Sequence, residues 1–137
     1  MIVLDTNVIS ELLSAKTNDN LRKWLIGLED TPLATTSITI AEIEFGIQRL
    51  APGGRRNQLQ TAFETYIRTI PVLPLDDIAA YKAGQYRALR ESAGRPTTLT
   101  DMMIAGIVSV VGGSLATRNT KDFTGLPFQI IDPWQVQ

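Results

Sequence analysis

Ile2-Val3-Leu4-Asp5-Thr6-Asn7-Val8-Ile9 stands at the start of the chain and decides how the rest is read. Three consecutive apolar residues, with no polar residue between them, read as a short strand buried on both faces. A carboxylate ends the run, and Ile9, Leu12 and Leu13 then recur at helical spacing. The same alternation of short apolar runs and longer amphipathic stretches continues outward. A helix over residues 20–29 places Leu21, Trp24, Leu25 and Leu28 on one face, and Pro32 precedes a second strand, Leu33-Ala34-Thr35-Thr36. Ile40, Ile43, Ile47 and Leu50 form the stripe of the next helix, Pro52-Gly53-Gly54 a loop, and Leu59, Phe63, Ile67 and Ile70 another helix. Val72-Leu73 is a short strand between prolines. A helix over 76–91 aligns Ala79, Ala83, Tyr86 and Leu89, and Gly94-Arg95-Pro96 breaks it. Residues 101–111 are apolar nearly all round and read as a buried helix. Residues 114–117 and 129–131 read as the last strands. Strands separated by helices imply a parallel sheet covered on both faces, here a single three-layer α/β/α domain over residues 1–137.

Composition narrows the chemistry. The 137 residues include no cysteine and no histidine. Disulfides, thiolate nucleophiles and zinc sites of the nitrogen and sulfur type are therefore excluded, as is a serine–histidine–aspartate arrangement. Metal chemistry would need oxygen ligands, which select hard cations such as Mg2+ or Mn2+. A net charge of −1 is low for a protein that binds nucleic acid through overall charge. Such a role must rest on local basic groups or on bound metal. The N-terminus lacks the basic region of a signal peptide, and the longest uncharged run, residues 102–117, is shorter than a membrane span and contains Gly112-Gly113. A cytoplasmic protein with no membrane segment is the expectation.

Ligands collect outside the carboxyl ends of strands in such sheets. Asp5 directly follows the first strand, Glu42 lies shortly after the second, Asp101 opens the buried helix and Asp122 follows the fourth strand by one short turn. A parallel sheet brings all four to one edge. Carboxylates gathered there repel one another unless protonated or bridged by a cation. A bound cation would neutralise a phosphodiester and lower the pKa of a water, which removes the need for histidine. Each acid also has a plainer reading. Asp5 suits a helix N-cap. Thr39-Ile40-Ala41-Glu42 and Thr98-Leu99-Thr100-Asp101 both match a capping box, and Asp122 suits a turn. Thr6, Asn7, Ser37, Thr117 and Asn119 are placed to hydrogen-bond the acids or their waters, or to serve as turn and cap residues. Arg118 and Lys121 flank the edge and are candidate RNA phosphate contacts. Arg55, Arg56, Arg87, Arg90 and Arg95 are further basic candidates, most of them more simply read as solvated helix faces; Trp24 and Phe45 are candidates to stack bases, though helical spacing places Trp24 in the core.

Leu4-Asp5-Thr6-Asn7-Val8 resembles the opening motif of PIN domains. The segment from Ser37 through Glu42 to Gly46, then Thr100-Asp101-Met102-Met103-Ile104-Ala105, then the segment from Ala116 through Asn119 to Phe123, resemble the later motifs of that family, in the same order. The similarity spans nearly the whole chain and is strongest to the VapC branch with its FitB-like members. The resemblance implies a PIN-like fold and an endoribonuclease dependent on Mg2+ or Mn2+. It also implies a homodimer and a cognate antitoxin that holds the enzyme inactive. It carries Asp5, Glu42 and Asp101 over as metal ligands. Many members have an acid nearer the end of the fourth strand, where this chain has Asn119, and Asp122 is the candidate for that role.

Rival readings fare less well. An aspartyl phosphatase wants a second aspartate two residues after the first, where Asn7 stands, and no P-loop is present. A phosphoacceptor module wants an acidic pair beside the first strand. A catalytically inactive PIN-like RNA- or metal-binding module remains the alternative. Its usual mark is the loss of acids that this chain keeps.

Overall fold

The structure is a computed structural model that describes residues 1–136. Five strands form one sheet: β1 (Ile2–Leu4), β2 (Leu33–Thr36), β3 (Val72–Leu73), β4 (Ser114–Ala116) and β5 (Ile130–Ile131). Their spatial order is β3-β2-β1-β4-β5, and every neighbouring pair is parallel. Parallel strands need crossovers; among the described residues six α-helices supply the first three, and a short 3-10 helix (Thr120–Phe123) lies in the last. The α-helices are α1 (Thr6–Leu12), α2 (Asp19–Gly27), α3 (Ser37–Gln48), α4 (Gly54–Ile67), α5 (Asp77–Ser92) and α6 (Leu99–Val110).

The two-residue period of β1 divides the core. Ile2 and Leu4 face a cluster with Val8 and Ile9 of α1, Leu21 and Trp24 of α2, Ile43 and Ile47 of α3, and Phe63 of α4. Val3 faces the opposite cluster, with Ala83 of α5 and Met102, Ile104, Ala105 and Val108 of α6. The expected three layers follow. Helices α1 to α4 cover one face while the chain winds from β1 to β3. Helices α5 and α6 cover the other once it returns past β1 to β4, the arrangement that right-handed crossovers produce.

Local details correct the reading from sequence in two places. Gly54 belongs to the first turn of α4, since a helix needs no side chain there and Gly53, at φ 145°, takes the N-cap position. On α5 the buried positions are Ala79, Ala83 and Arg90, whereas Leu89 is exposed. Periodicity ranks Leu above Arg for a core position, but here the core-facing groove ends in backbone carbonyls, which only a donor can satisfy. Trp24 is core, as expected, with 8% exposure.

Candidate active site

The strand order reverses at β1, whose neighbours β2 and β4 receive crossovers of opposite direction. A crevice opens at the carboxyl ends of the strands at such a point. The register pairs Leu4 with Ala116, so the next residues, Asp5 and Thr117, emerge side by side. Asp5 is only 4% exposed. One oxygen accepts the Thr6 N–H at 2.8 Å, which caps α1, and the other accepts the Thr117 hydroxyl at 2.7 Å. Asn7 donates to the Thr117 Oγ1 at 3.1 Å and accepts the Arg118 N–H at 3.1 Å, tying α1 to the chain leaving β4. Capping and site-building are thus one structure at Asp5.

Glu42 reaches the same crevice from α3. The capping-box reading of Thr39 and Glu42 does not hold, because α3 begins earlier. Thr36 is its N-cap, and the Thr36 Oγ1 accepts the Thr39 N–H at 3.1 Å. Glu42 therefore sits beyond the first turn, and its side chain is not drawn back to the helix start. Instead the Thr6 hydroxyl donates to Glu42 Oε1 at 2.7 Å, and Thr6 is also 3.0 Å from the Thr39 hydroxyl. A chain of threonines (Thr36, Thr39, Thr6) thus ties the start of α3 to α1 and fixes the Glu42 carboxylate. The run Thr35-Thr36-Ser37-Ile38-Thr39 held the signal for it, as a polar patch at the end of a buried strand.

Asp101 lies in the first turn of α6, where its N–H donates to Thr98 Oγ1 at 3.1 Å. Asp5, Glu42 and Asp101 line one cleft of about 470 Å³, together with Thr6, Asn7, Ser10, Glu11, Arg118, Asn119 and Trp134. Burial raises the Asp5 carboxyl from an ordinary 3.8 to about 6, against the pull of the Thr117 and Thr6 hydrogen bonds, and the Asp101 and Glu42 charges add to the rise. Asp101 is raised as well, first by burial and then by the charges of Asp122 and Glu42, while the Thr98 hydroxyl and Arg90 oppose it. Asp122, on a short 3-10 helix (Thr120–Phe123), is thus felt by Asp101 but does not line the cleft.

The remaining candidates separate clearly. Thr6 bonds both Asp5 and Glu42, Thr117 bonds Asp5, and the Asn7 amide reaches Asp5 Oδ2 at 3.5 Å. The Asn119 N–H donates to Thr117 Oγ1 at 3.1 Å. Ser37 does not join them: its hydroxyl oxygen accepts the Leu75 N–H at 3.3 Å and holds the chain leaving β3. Arg118 is exposed at the cleft rim with its guanidinium 5.4 Å from the Trp134 ring centre. Lys121 is exposed beside it in sequence. Sequence reading passed over Trp134, although Asp132-Pro133-Trp134 directly follows the last strand and so falls on the same edge. It also assigned Arg90 to solvent, whereas Arg90 is 2% exposed.

The donor set suits a hard divalent cation. The acids present oxygen only, and no Lys or Arg among the described residues forms an ion pair with Asp5, Glu42 or Asp101. No three such groups among the described residues stand close enough to form a ready-made cage. An ion held by these acids would therefore be bound partly through water.

A family model described as "PIN domain" matches residues 2–128. Among curated proteins, the chain is 34% identical to VapC ribonuclease Y4jK of Sinorhizobium fredii, over 98% of this chain and 99% of that protein. It is 31% identical to toxin FitB of Neisseria gonorrhoeae, over 98% and 99% of the two chains. Among solved structures, it superposes on a chain of FitAB bound to an IR36 DNA fragment with a TM-score of 0.89 and 32% identity, covering 100% of this chain and 98% of that one.

Proposed function

The chain belongs to the PIN-domain family, and from that premise we propose that it is a divalent-metal-dependent endoribonuclease, the toxin of a toxin–antitoxin pair. The observation that carries this reading is the buried Asp5 carboxylate at the sheet's reversal point, sharing one cleft with Glu42 and Asp101. Asp5, Glu42 and Asp101 would hold Mg2+ or Mn2+, with Asp122 in a weaker supporting role beside Asp101. When bound, the cation neutralises the scissile phosphate and lowers the pKa of a water.

The chain's own residues do the rest. Thr117 and the Thr6 N–H fix the two oxygens of Asp5. The Thr6 hydroxyl aims Glu42, so the two carboxylates are oriented by a single residue. Arg118, steadied over Trp134 and through its backbone by Asn7, offers a positive group at the rim for an RNA phosphate, and Lys121 extends it. The ribonuclease and toxin relatives support RNA as substrate and an antitoxin as partner, and a homodimer is part of the same proposal. No helix among the described residues is long and apolar enough to cross a membrane. The cytoplasm is the proposed place of action.

Purified protein freed of antitoxin should cut single-stranded RNA in Mg2+ or Mn2+ and leave 5′-phosphate and 3′-hydroxyl ends, because water is the attacking group. Mapping the ends of a cleaved RNA tests this. Ends bearing 2′,3′-cyclic phosphate, or cleavage that survives EDTA, would reject the mechanism.

A further inference from the structure

Arg90 is a charged side chain in the core that forms no ion pair with a carboxylate among the described residues. Its fork is spent entirely on loop groups. Nε and Nη2 donate to the Pro96 carbonyl at 3.3 and 3.1 Å, Nη2 also donates to the Lys121 carbonyl at 3.2 Å, and Nη1 donates to the Thr124 carbonyl. Arg95 reinforces the join, donating to the Thr124 hydroxyl at 2.8 Å. The two segments so joined are not arbitrary. Pro96 lies two residues before Thr98, the N-cap that sets the first turn of α6 and hence Asp101. Lys121 and Thr124 bracket Asp122 on the 3-10 helix. These segments are distant in sequence, and both carry acids at the same edge of the sheet.

We propose that Arg90 is a positioning residue for the metal site, a clamp that holds the Asp101 turn and the Asp122 turn in fixed relation. This rests on the reading of those acids as metal-binding. A guanidinium suits the task because its planar fork satisfies carbonyls on separate segments at once, which an ammonium on the same stem cannot do. Its charge also lies close enough to influence Asp101. Charge alone and clamping therefore predict opposite results. Removing a cation beside an anionic site tightens metal binding, whereas releasing the two turns weakens it.

The test is Mn2+ affinity of the RNA-free protein, followed by paramagnetic resonance of the free ion, for wild type, Arg90→Met, Arg90→Lys and Asp101→Asn. Each is measured below its own melting transition. Both Arg90 variants should lose about tenfold or more in affinity, the range found when groups supporting metal ligands are removed. In cleavage assays kcat should fall while KM for RNA stays within about twofold, since the clamp does not touch RNA. If Arg90→Met does not fold, Arg90→Lys carries the test, because it keeps the stem and the charge but not the fork. Wild-type or tighter Mn2+ binding in a folded Arg90 variant, with only a lowered melting temperature, would overturn the proposal. Should Asp101→Asn alone lose affinity, the clamp fails and the metal site stands. Should Asp101→Asn also bind Mn2+ like the wild type, the clamp fails together with the reading beneath it.

Discussion

Asp5 shows how a single residue can be structurally cheap to place and energetically costly to charge. Its hydrogen bonds to Thr6 and Thr117 favour the carboxylate, yet burial prevails and the carboxyl titrates at about 6. The folded chain therefore holds this proton more tightly than the unfolded chain, and stability falls as pH rises. No cost exists below 3.8, it grows between 3.8 and about 6, and it is complete above that, at roughly 3 kcal/mol. Asp5→Asn in EDTA should therefore be the more stable protein at pH 7.5, by roughly 10 °C in melting temperature, and should lose that advantage near pH 4. Parallel melting profiles for the two proteins across this range would show that the charge is not strained. The position of Asp5 was legible from Ile2-Val3-Leu4 ending in an acid. Its burial was not, because it depends on β4 bringing Thr117 alongside, a pairing between residues 112 positions apart.

At the level of elements, helix existence was readable from periodicity, and helix starts were less so. Thr36 and Thr39 are both competent caps, and only the end of β2 decides that Thr36 takes the role and that Glu42 is left facing the cleft. Arg90 was misread for a related reason: a charge at a helical position reads as solvated unless the loops that will surround it are known. The packing of α5 on α6 was hidden too. Gly106 sits amid the buried residues of α6, and a Cβ there would lie 2.3 Å from the Ala79 carbonyl oxygen and 3.1 Å from the Ala83 nitrogen. These are backbone atoms, so the two helices must separate to admit a methyl group. Gly106→Ala should cost about 3 kcal/mol from overpacking, which exceeds the gain of about 1 kcal/mol in helix propensity. Since α6 carries Asp101, cleavage should weaken as well. Denaturant titration measures the first effect, and an unchanged or higher midpoint would mean that the helices do not meet as closely as this.

For the molecule as a whole, the parallel sheet supplies an edge and a reversal point, and the chain spends acids there at the expense of its own stability. With a net charge of −1, it has little general attraction for RNA. A cation at the cleft both relieves the acids and gives a phosphate something to approach, so stability and function should respond to it together. Asp101 tests the link because its raised pKa marks a charge held at a cost, first through burial and then through Asp122 and Glu42. Asp101→Asn removes that charge, and in EDTA the variant should melt no lower than the wild type and somewhat higher at neutral pH. Mn2+ should reverse the order. An ion present at 100 times its dissociation constant stabilises the native state by about 2.7 kcal/mol. For a chain of this length that is a rise of roughly 10 °C in melting temperature. The wild type should show the full rise, and Asp101→Asn much less of it along with a loss of RNA cleavage of about 100-fold or more. A residue that only caps α6 behaves otherwise. Its replacement would lower the melting temperature in EDTA, leave the Mn2+ response intact and spare cleavage. Four melting curves, two proteins with and without the ion, therefore distinguish a ligand from a cap without depending on knowledge of the target RNA.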